Sequence, residues 1–225
     1  MADDKILSYN DVVLRRSDLS ILSGPYFLND RIIEFYFSYL ETSYASQDIL
    51  LVPPSISFWI ANCPDVESLK DFVVPLKFPD KKVIIFAVNN NNDVNMAEGG
   101  THWSLLAYER NSYVFVHHDS MAGSNRSAAK NLCSAVVGFM GLSDDSGKGA
   151  EFMECSTMPQ QTNGYDCGLY VTSIAKAICI WHKNAGSEEK SDLWFSALNE
   201  DVKPSVVSMT RKHILWLIEN LMAKK

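Results

Sequence analysis

No two of the five cysteines form a CxxC pair, and the chain has no HExxH segment. Zinc sites of the finger or metallopeptidase kind need such spacings, so no zinc site is expected, and the side chains set out below need no metal or organic cofactor. An odd number of scattered cysteines (Cys63, Cys133, Cys155, Cys167 and Cys179) argues for free thiols rather than a disulfide framework. No apolar stretch approaches the roughly 20 residues that a membrane span requires. The opening Met1-Ala2-Asp3-Asp4-Lys5 is acidic and lacks the basic-then-apolar layout of a signal peptide. These absences predict an intracellular protein, cytoplasmic or nuclear, with no membrane partner. Basic residues are in the minority, 20 Lys and Arg against 27 Asp and Glu, for a net charge of −7. Nucleic acid is therefore not an expected partner, whereas a basic protein surface would be attracted. No internal repeat is visible.

What is present suffices for a core. The 225 residues predict a single domain, 1–225, and 47% of them are hydrophobic. Asn29 reads as the N-cap of a helix carrying Ile32, Ile33, Tyr36, Phe37 and Leu40 at helical period. Pro53-Pro54 suits a helix start at Ser55 running to about Asn62, and Asp65 caps another short helix. Lys82 to Val88 is a near-continuous apolar run, as in a strand buried on both faces. Asn89 to Gly100, rich in asparagine, reads as a mobile surface loop. Thr101–Tyr108 and Tyr113–Asp119 read as a hairpin joined through Glu109-Arg110-Asn111-Ser112. Asn125 or Ser127 caps a helix that stops at Gly141, followed by a polar loop over 143–150. Phe152–Cys155 reads as a short strand. A charged connector is expected over 184–192, and a final amphipathic helix over about Ser205–Leu221.

The segment Gln161-Thr162-Asn163-Gly164-Tyr165-Asp166-Cys167-Gly168 concentrates the chemistry. A loop of turn formers gives way there to an apolar run, Leu169 to Trp181, with the pattern of a buried helix. Cys167 then sits at the helix N-terminus, where the dipole and unpaired N–H groups favour negative charge. The thiolate is the nucleophilic form of cysteine. Gln161, on the same loop, could swing its amide toward the sulfur.

A base and its orienter are also at hand. If His102 begins one strand of the hairpin and Asp119 ends its partner, both lie at one edge of the sheet. Asp119 would then hold the imidazole tautomer and support its charged form. His117 and His118 compete for the role of base. They rank below His102 because the hairpin leaves them without an orienter of their own. His182 and His213 sit on helical stretches and read as surface residues.

Taken together, Gly-Thr-His102-Trp103-Ser-Leu-Leu, His-Asp119-Ser and Gln161-Thr-Asn-Gly-Tyr-Asp-Cys167-Gly resemble the sentrin/SUMO-type family of ubiquitin-like-protein proteases. Phe27-Leu28-Asn29-Asp30 resembles the family's Trp-Leu-Asn-Asp segment, and the likeness runs from about Leu7 to the last helix. It implies an α+β fold, a papain-like core of the adenain and ubiquitin-like-protease type, with helices around a small mixed sheet. It implies hydrolysis after the C-terminal Gly-Gly of a ubiquitin-like modifier by a monomeric enzyme. Leu7-Ser8-Tyr9 and Leu14-Arg15-Arg16-Ser17-Asp18 are most similar to the deneddylase branch, so the neddylation modifier is the expected partner. Catalysis would fall to His102, Asp119, Cys167 and Gln161, and substrate binding to Phe27, Asn29, Asp30 and Trp103. Phe27 stands where the family has tryptophan, so a tunnel walled by Phe27 and Trp103 over the glycine tail would be slightly looser. Three alternatives remain open. One is a SUMO-specific protease of the same family, and another is a modifier-binding module without chemistry. The third is a protein acyltransferase of the same clan.

Overall fold

The computed structural model describes residues 3–96, 99–141, 149–184 and 193–224. In chain order the elements are β1 (Lys5–Tyr9), β2 (Val12–Arg15), α1 (Arg16–Ser23), α2 (Asp30–Tyr44), β3 (Ile49–Val52), α3 (Pro54–Asn62) and α4 (Val66–Val73). They continue with β4 (Val83–Asn89), β5 (Trp103–Glu109), β6 (Val114–His118), α5 (Arg126–Val136), β7 (Glu151–Glu154), α6 (Cys167–Asn184), α7 (Phe195–Asp201) and α8 (Pro204–Ala223). They divide into two compact units. One comprises Met1–Ala45 with Thr157–Lys225, the other Ser46–Ser156.

The first unit pairs β1 with β2 in an antiparallel hairpin and is otherwise helical. The side chain of Asn29 accepts from Ile32 N at 3.0 Å, so it caps α2 as its residue type predicts. Helix α2 buries Ile32, Ile33, Phe35, Tyr36, Phe37 and Leu40, and packs on α6. Helix α6 is buried along nearly its whole length, which explains why its sequence lacks a polar stripe.

The second unit holds a five-stranded sheet in the order β3-β4-β5-β6-β7. Strands β3 and β4 are parallel, as are β6 and β7, while β4-β5 and β5-β6 are antiparallel. The apolar run at 82–88 is indeed an interior strand, with six of the seven residues of β4 buried. The expected hairpin is β5-β6, with Leu105 opposite His118 and Glu109 opposite Val114. Pro54 opens α3, and Asp65 caps α4 by accepting from Ser68 N at 2.8 Å.

Five elements exceed the sequence reading: strands β1, β2 and β3 and helices α1 and α7. Helix α1 is short and its N-cap is Arg15, a poor capping type; its start is held instead by Asp18, whose Oδ2 accepts from Arg15 N at 2.7 Å. The polar loop over 143–150 and the connector over 184–192 fall largely outside the described residues.

Candidate active site

The β5-β6 hairpin brings two of the expected residues together. His102 lies one residue before β5 and Asp119 one residue after β6. Their side chains meet through His102 Nε2 and Asp119 Oδ1 at 2.6 Å, and both residues are buried. Burial would raise the Asp119 pKa. The hydrogen bond from His102, the backbone N–H groups of Asn125 and Met121, and the charge of His102 outweigh it and hold the carboxyl below its ordinary range. Asp119 is thus an ionised acceptor, with Met121 N at 2.9 Å on Oδ1 and Asn125 N at 2.9 Å on Oδ2. A carboxylate can only accept, so the shared proton sits on His102 Nε2. In the neutral ring Nδ1 is then the basic nitrogen.

Backbone contacts fix where His102 sits. Asn90 Oδ1 accepts from Thr101 N at 2.7 Å and from His102 N at 3.2 Å. Gly100 has φ +84°, and a Cβ there would run into the Asn89 side chain. A glycine is therefore needed where the chain turns into β5. The asparagines of this loop act as ligands for its own backbone.

The competing histidines behave differently from the expectation. His117 does have a carboxylate of its own, because Glu154 Oε2 lies 2.8 Å from its Nδ1. Strand β7, parallel to β6, supplies that partner across 37 positions, so local sequence could not show it. His117 is still a poor base, since its Nε2 is also engaged by Ser104 Oγ at 2.9 Å and the ring is fully buried. Burial, with the neighbouring His117, pulls the His118 pKa down to about 3. His118 therefore stays neutral and is not a useful proton acceptor near pH 7.

Cys167 and Gln161 belong to the other unit. Cys167 is the first residue of α6, as expected, and is fully buried. The carbonyl of Asp166 accepts from Leu169 N at 2.8 Å and Tyr170 N at 3.1 Å, which starts the helix. Asn163 shapes the approach, its Oδ1 accepting from Tyr165 N at 3.1 Å and Asp166 N at 3.0 Å. Gln161 Nε2 donates to Asn163 O at 2.7 Å. That bond uses one of the two N–H donors on the carboxamide nitrogen. A Cβ on Gly168 would come within 2.8 Å of Leu28 Cβ, an atom too close to the backbone to swing aside. Only glycine lets the thiol-bearing helix start this near residue 28.

Of the residues expected to bind substrate, Phe27 is 49% exposed and Asp30 is exposed. Asn29 is committed to structure on both sides of its amide. Its Oδ1 caps α2, and its Nδ2 donates to Asp18 Oδ1 at 2.7 Å. Asp18 is fully buried and also receives Arg31 Nη2 at 2.9 Å. Trp103, in the second unit, is half-buried.

Sequence reasoning missed a brace on the cysteine loop. Arg211 of α8 donates to Asp166 Oδ1 at 2.8 Å, to Ile21 O at 3.0 Å and to Tyr26 O at 2.9 Å. Its guanidinium also lies over the Tyr165 ring, 5.7 Å from the ring centroid. Nothing near Arg211 in sequence signals this. Arg211→Met should destabilise the protein by about 3–5 kcal/mol, because Asp166 keeps a largely buried charge without its partner. Arg211→Met with Asp166→Asn should lose distinctly less. Urea unfolding of the two proteins checks this, and equal losses would show that the ion pair is not the source.

Comparison with known proteins now bears on this geometry. Residues 26–183 match the Ulp1 protease family, C-terminal catalytic domain. The chain is 53% identical over 222 residues to NEDD8-specific protease 1 of Arabidopsis thaliana, covering 99% of this chain and 96% of that one. It is 38% identical over 180 residues to Sentrin-specific protease 8 of Homo sapiens, covering 79% and 82%. Among solved structures, the C-terminal Ulp1 protease domain bound to SMT3, the yeast ortholog of SUMO, superposes with a TM-score of 0.65. That match has 18% identity and covers 98% of this chain and 89% of that one, so it speaks to the fold alone. The α+β, papain-like class read from the sequence stands. The chain belongs to the Ulp1 protease family and is a cysteine protease.

Proposed function

We propose that this cysteine protease cleaves after the C-terminal Gly-Gly of a ubiquitin-like modifier, with NEDD8 as the preferred one. The observation that carries the reading is the buried 2.6 Å His102–Asp119 bond, in a chain 53% identical to a protein named NEDD8-specific protease 1. The family match runs through residues of both compact units, which supports treating 1–225 as one catalytic domain. We read it as a monomer of the cytoplasm, the nucleus or both.

In the mechanism, His102 Nδ1 accepts the proton of Cys167 Sγ, and the thiolate attacks the carbonyl of the terminal glycine. The carbonyl electron pair moves to oxygen. Gln161 and the Cys167 backbone N–H donate to that oxyanion, each such donor being worth on the order of a hundredfold or more in rate. The imidazolium gives its proton to the departing amine, a lysine side chain in a conjugate, as the C–N bond breaks. Water, deprotonated by the same ring, then hydrolyses the thioester and restores the thiol. Asp119 keeps the ring in the required tautomer throughout.

On the substrate side, Phe27 and Trp103 would flank the glycine tail, whose lack of Cβ atoms lets it lie between flat rings. Asp30 would meet basic groups on the modifier body, and Asn29 would act by fixing the start of α2 beneath it.

A panel of fluorogenic C-terminal conjugates of NEDD8, SUMO and ubiquitin tests the reading. The NEDD8 conjugate should be turned over with a kcat/KM at least about a hundredfold above the others, equivalent to roughly 2.7 kcal/mol of transition-state discrimination. Faster turnover of the SUMO conjugate would replace this substrate by the SUMO alternative. Reversible binding of all three without turnover would leave only a binding module.

A further inference from the structure

Asn125 flanks α5 at the position where asparagine usually caps a helix, yet its side chain makes no capping bond. It is turned inward and is 1% exposed. Its Nδ2 donates to the carbonyl of Val88 at 3.2 Å and to the carbonyl of His102 at 3.1 Å. Two carbonyls facing one end of the amide require that end to be the NH2, so its orientation is dictated. Its backbone N–H donates to Asp119 Oδ2 at 2.9 Å. Its Oδ1 is buried without a hydrogen-bond partner. One residue therefore holds the end of β4, the main chain of His102 and the carboxylate of Asp119. It does so at the expense of a helix cap and an unsatisfied acceptor, an arrangement that stability alone does not favour.

We propose that Asn125 is the positioning residue of the His102–Asp119 pair, setting the distance between ring and carboxylate by fixing both from one point. The proposal rests on the reading of that pair as the catalytic base and its orienter. The β5-β6 register ends at Leu105 opposite His118, so His102 and Asp119 lie just beyond the part where these two strands pair, although β4 flanks β5 as far as Trp103. The bond from Asn125 to the His102 carbonyl ties one arm of that open end. The bond from its own N–H to Asp119 ties the other. A misplacement of about 1 Å can cost on the order of a hundredfold in rate, so a clasp of this kind has catalytic weight.

Asn125→Ser separates this role from a merely structural one. Serine is a good N-cap, so α5 should keep its start, and the backbone N–H to Asp119 remains. The two bonds to Val88 and His102 are lost. The expected result is a kcat lower by about tenfold to a hundredfold, with KM for a C-terminal conjugate unchanged and the protein still folded, at a thermal midpoint lowered by the two carbonyls left without their donor. The acid limb of the kcat/KM profile should move to lower pH, because a loosened carboxylate supports the imidazolium less and the ring sheds its proton at lower pH. The downfield proton resonance of His102 Nε2–H, read on 15N-histidine-labelled protein, should move upfield. Asn125→Asp keeps the shape but turns an acceptor toward both carbonyls, and should shift that resonance further. It is the second variant should the serine protein fail to fold. A serine variant with unaltered kcat overturns the proposal. So does a lowered kcat with an unmoved resonance and pH limb. Full activity of His102→Ala would instead remove the underlying reading, whatever Asn125 does.

Discussion

Cys167→Ala should bring hydrolysis of a C-terminal modifier conjugate to the background rate while modifier binding survives. The substitution removes a single sulfur from a fully buried residue at the first turn of α6. The helix start is set by the Asp166 carbonyl, Asn163 and Arg211, none of which needs the thiol. The fold around the loop should therefore persist, and only the thiol is lost. The other buried thiols offer no substitute. Burial pushes the Cys133 pKa up to about 11, and burial with nearby Glu41 pushes Cys179 up to about 12. At neutral pH both are thiols, not thiolates. A modifier carrying a C-terminal vinyl ester should thus label the wild-type protein once and the alanine variant not at all. Labelling of the variant, or turnover near the wild-type rate, would remove Cys167 as the nucleophile.

Asp119→Asn should cost about 10⁴ in kcat, the scale seen when the orienting carboxylate of a catalytic triad becomes an amide. The structure gives a local reason. Three N–H donors converge on the Asp119 carboxylate, from His102, Met121 and Asn125. Asparagine has one acceptor oxygen and one NH2 group, so it cannot receive all three. With its oxygen toward Asn125, the NH2 faces His102 Nε2 and forces the proton onto Nδ1, the wrong nitrogen for taking a proton from sulfur. With its oxygen toward His102, the NH2 opposes the Asn125 N–H. Either way the pair is misdirected. A loss below tenfold in kcat would show that Asp119 is not the orienter. The carboxylate also links stability to pH. Its native pKa is depressed. Its stabilising contribution is therefore complete above the ordinary aspartate range, near roughly pH 4, and is lost as the pH falls through the lower native value.

How far the sequence revealed all this depended on range. Asn29, Pro54 and Asp65 announce helix starts because capping is a matter of the next few residues. The His102–Asp119 meeting was legible because a hairpin returns the chain beside itself and so sets both residues at one edge of the sheet, even though the pairing is two residues off the expected register. Glu154 beside His117 was not, since a parallel strand 37 positions away delivers it. Residue type offers Asn125 or Ser127 as the cap of α5; the N-cap position is Asn125, and tertiary demand turns its side chain elsewhere. Arg211 gave no sign at all. Its contacts lie 45, 185 and 190 positions away, beyond any local pattern.

That last span has a consequence for the birth of the enzyme. The unit that carries Cys167 is stitched from the two ends of the chain, Met1–Ala45 and Thr157–Lys225, with residues Ser46–Ser156 made in between. A ribosome delivers the chain N-terminus first, and closing such long-range contacts is slow. Ile21 and Tyr26 emerge early, the cysteine loop much later, and the arginine that fastens all three later still. Until α8 has left the exit tunnel, Cys167 follows a loop without its brace. A nascent or truncated chain ending before residue 211 thus carries the thiol without its full support. The order of the chain makes the fastening of the cysteine loop later than the making of the thiol itself.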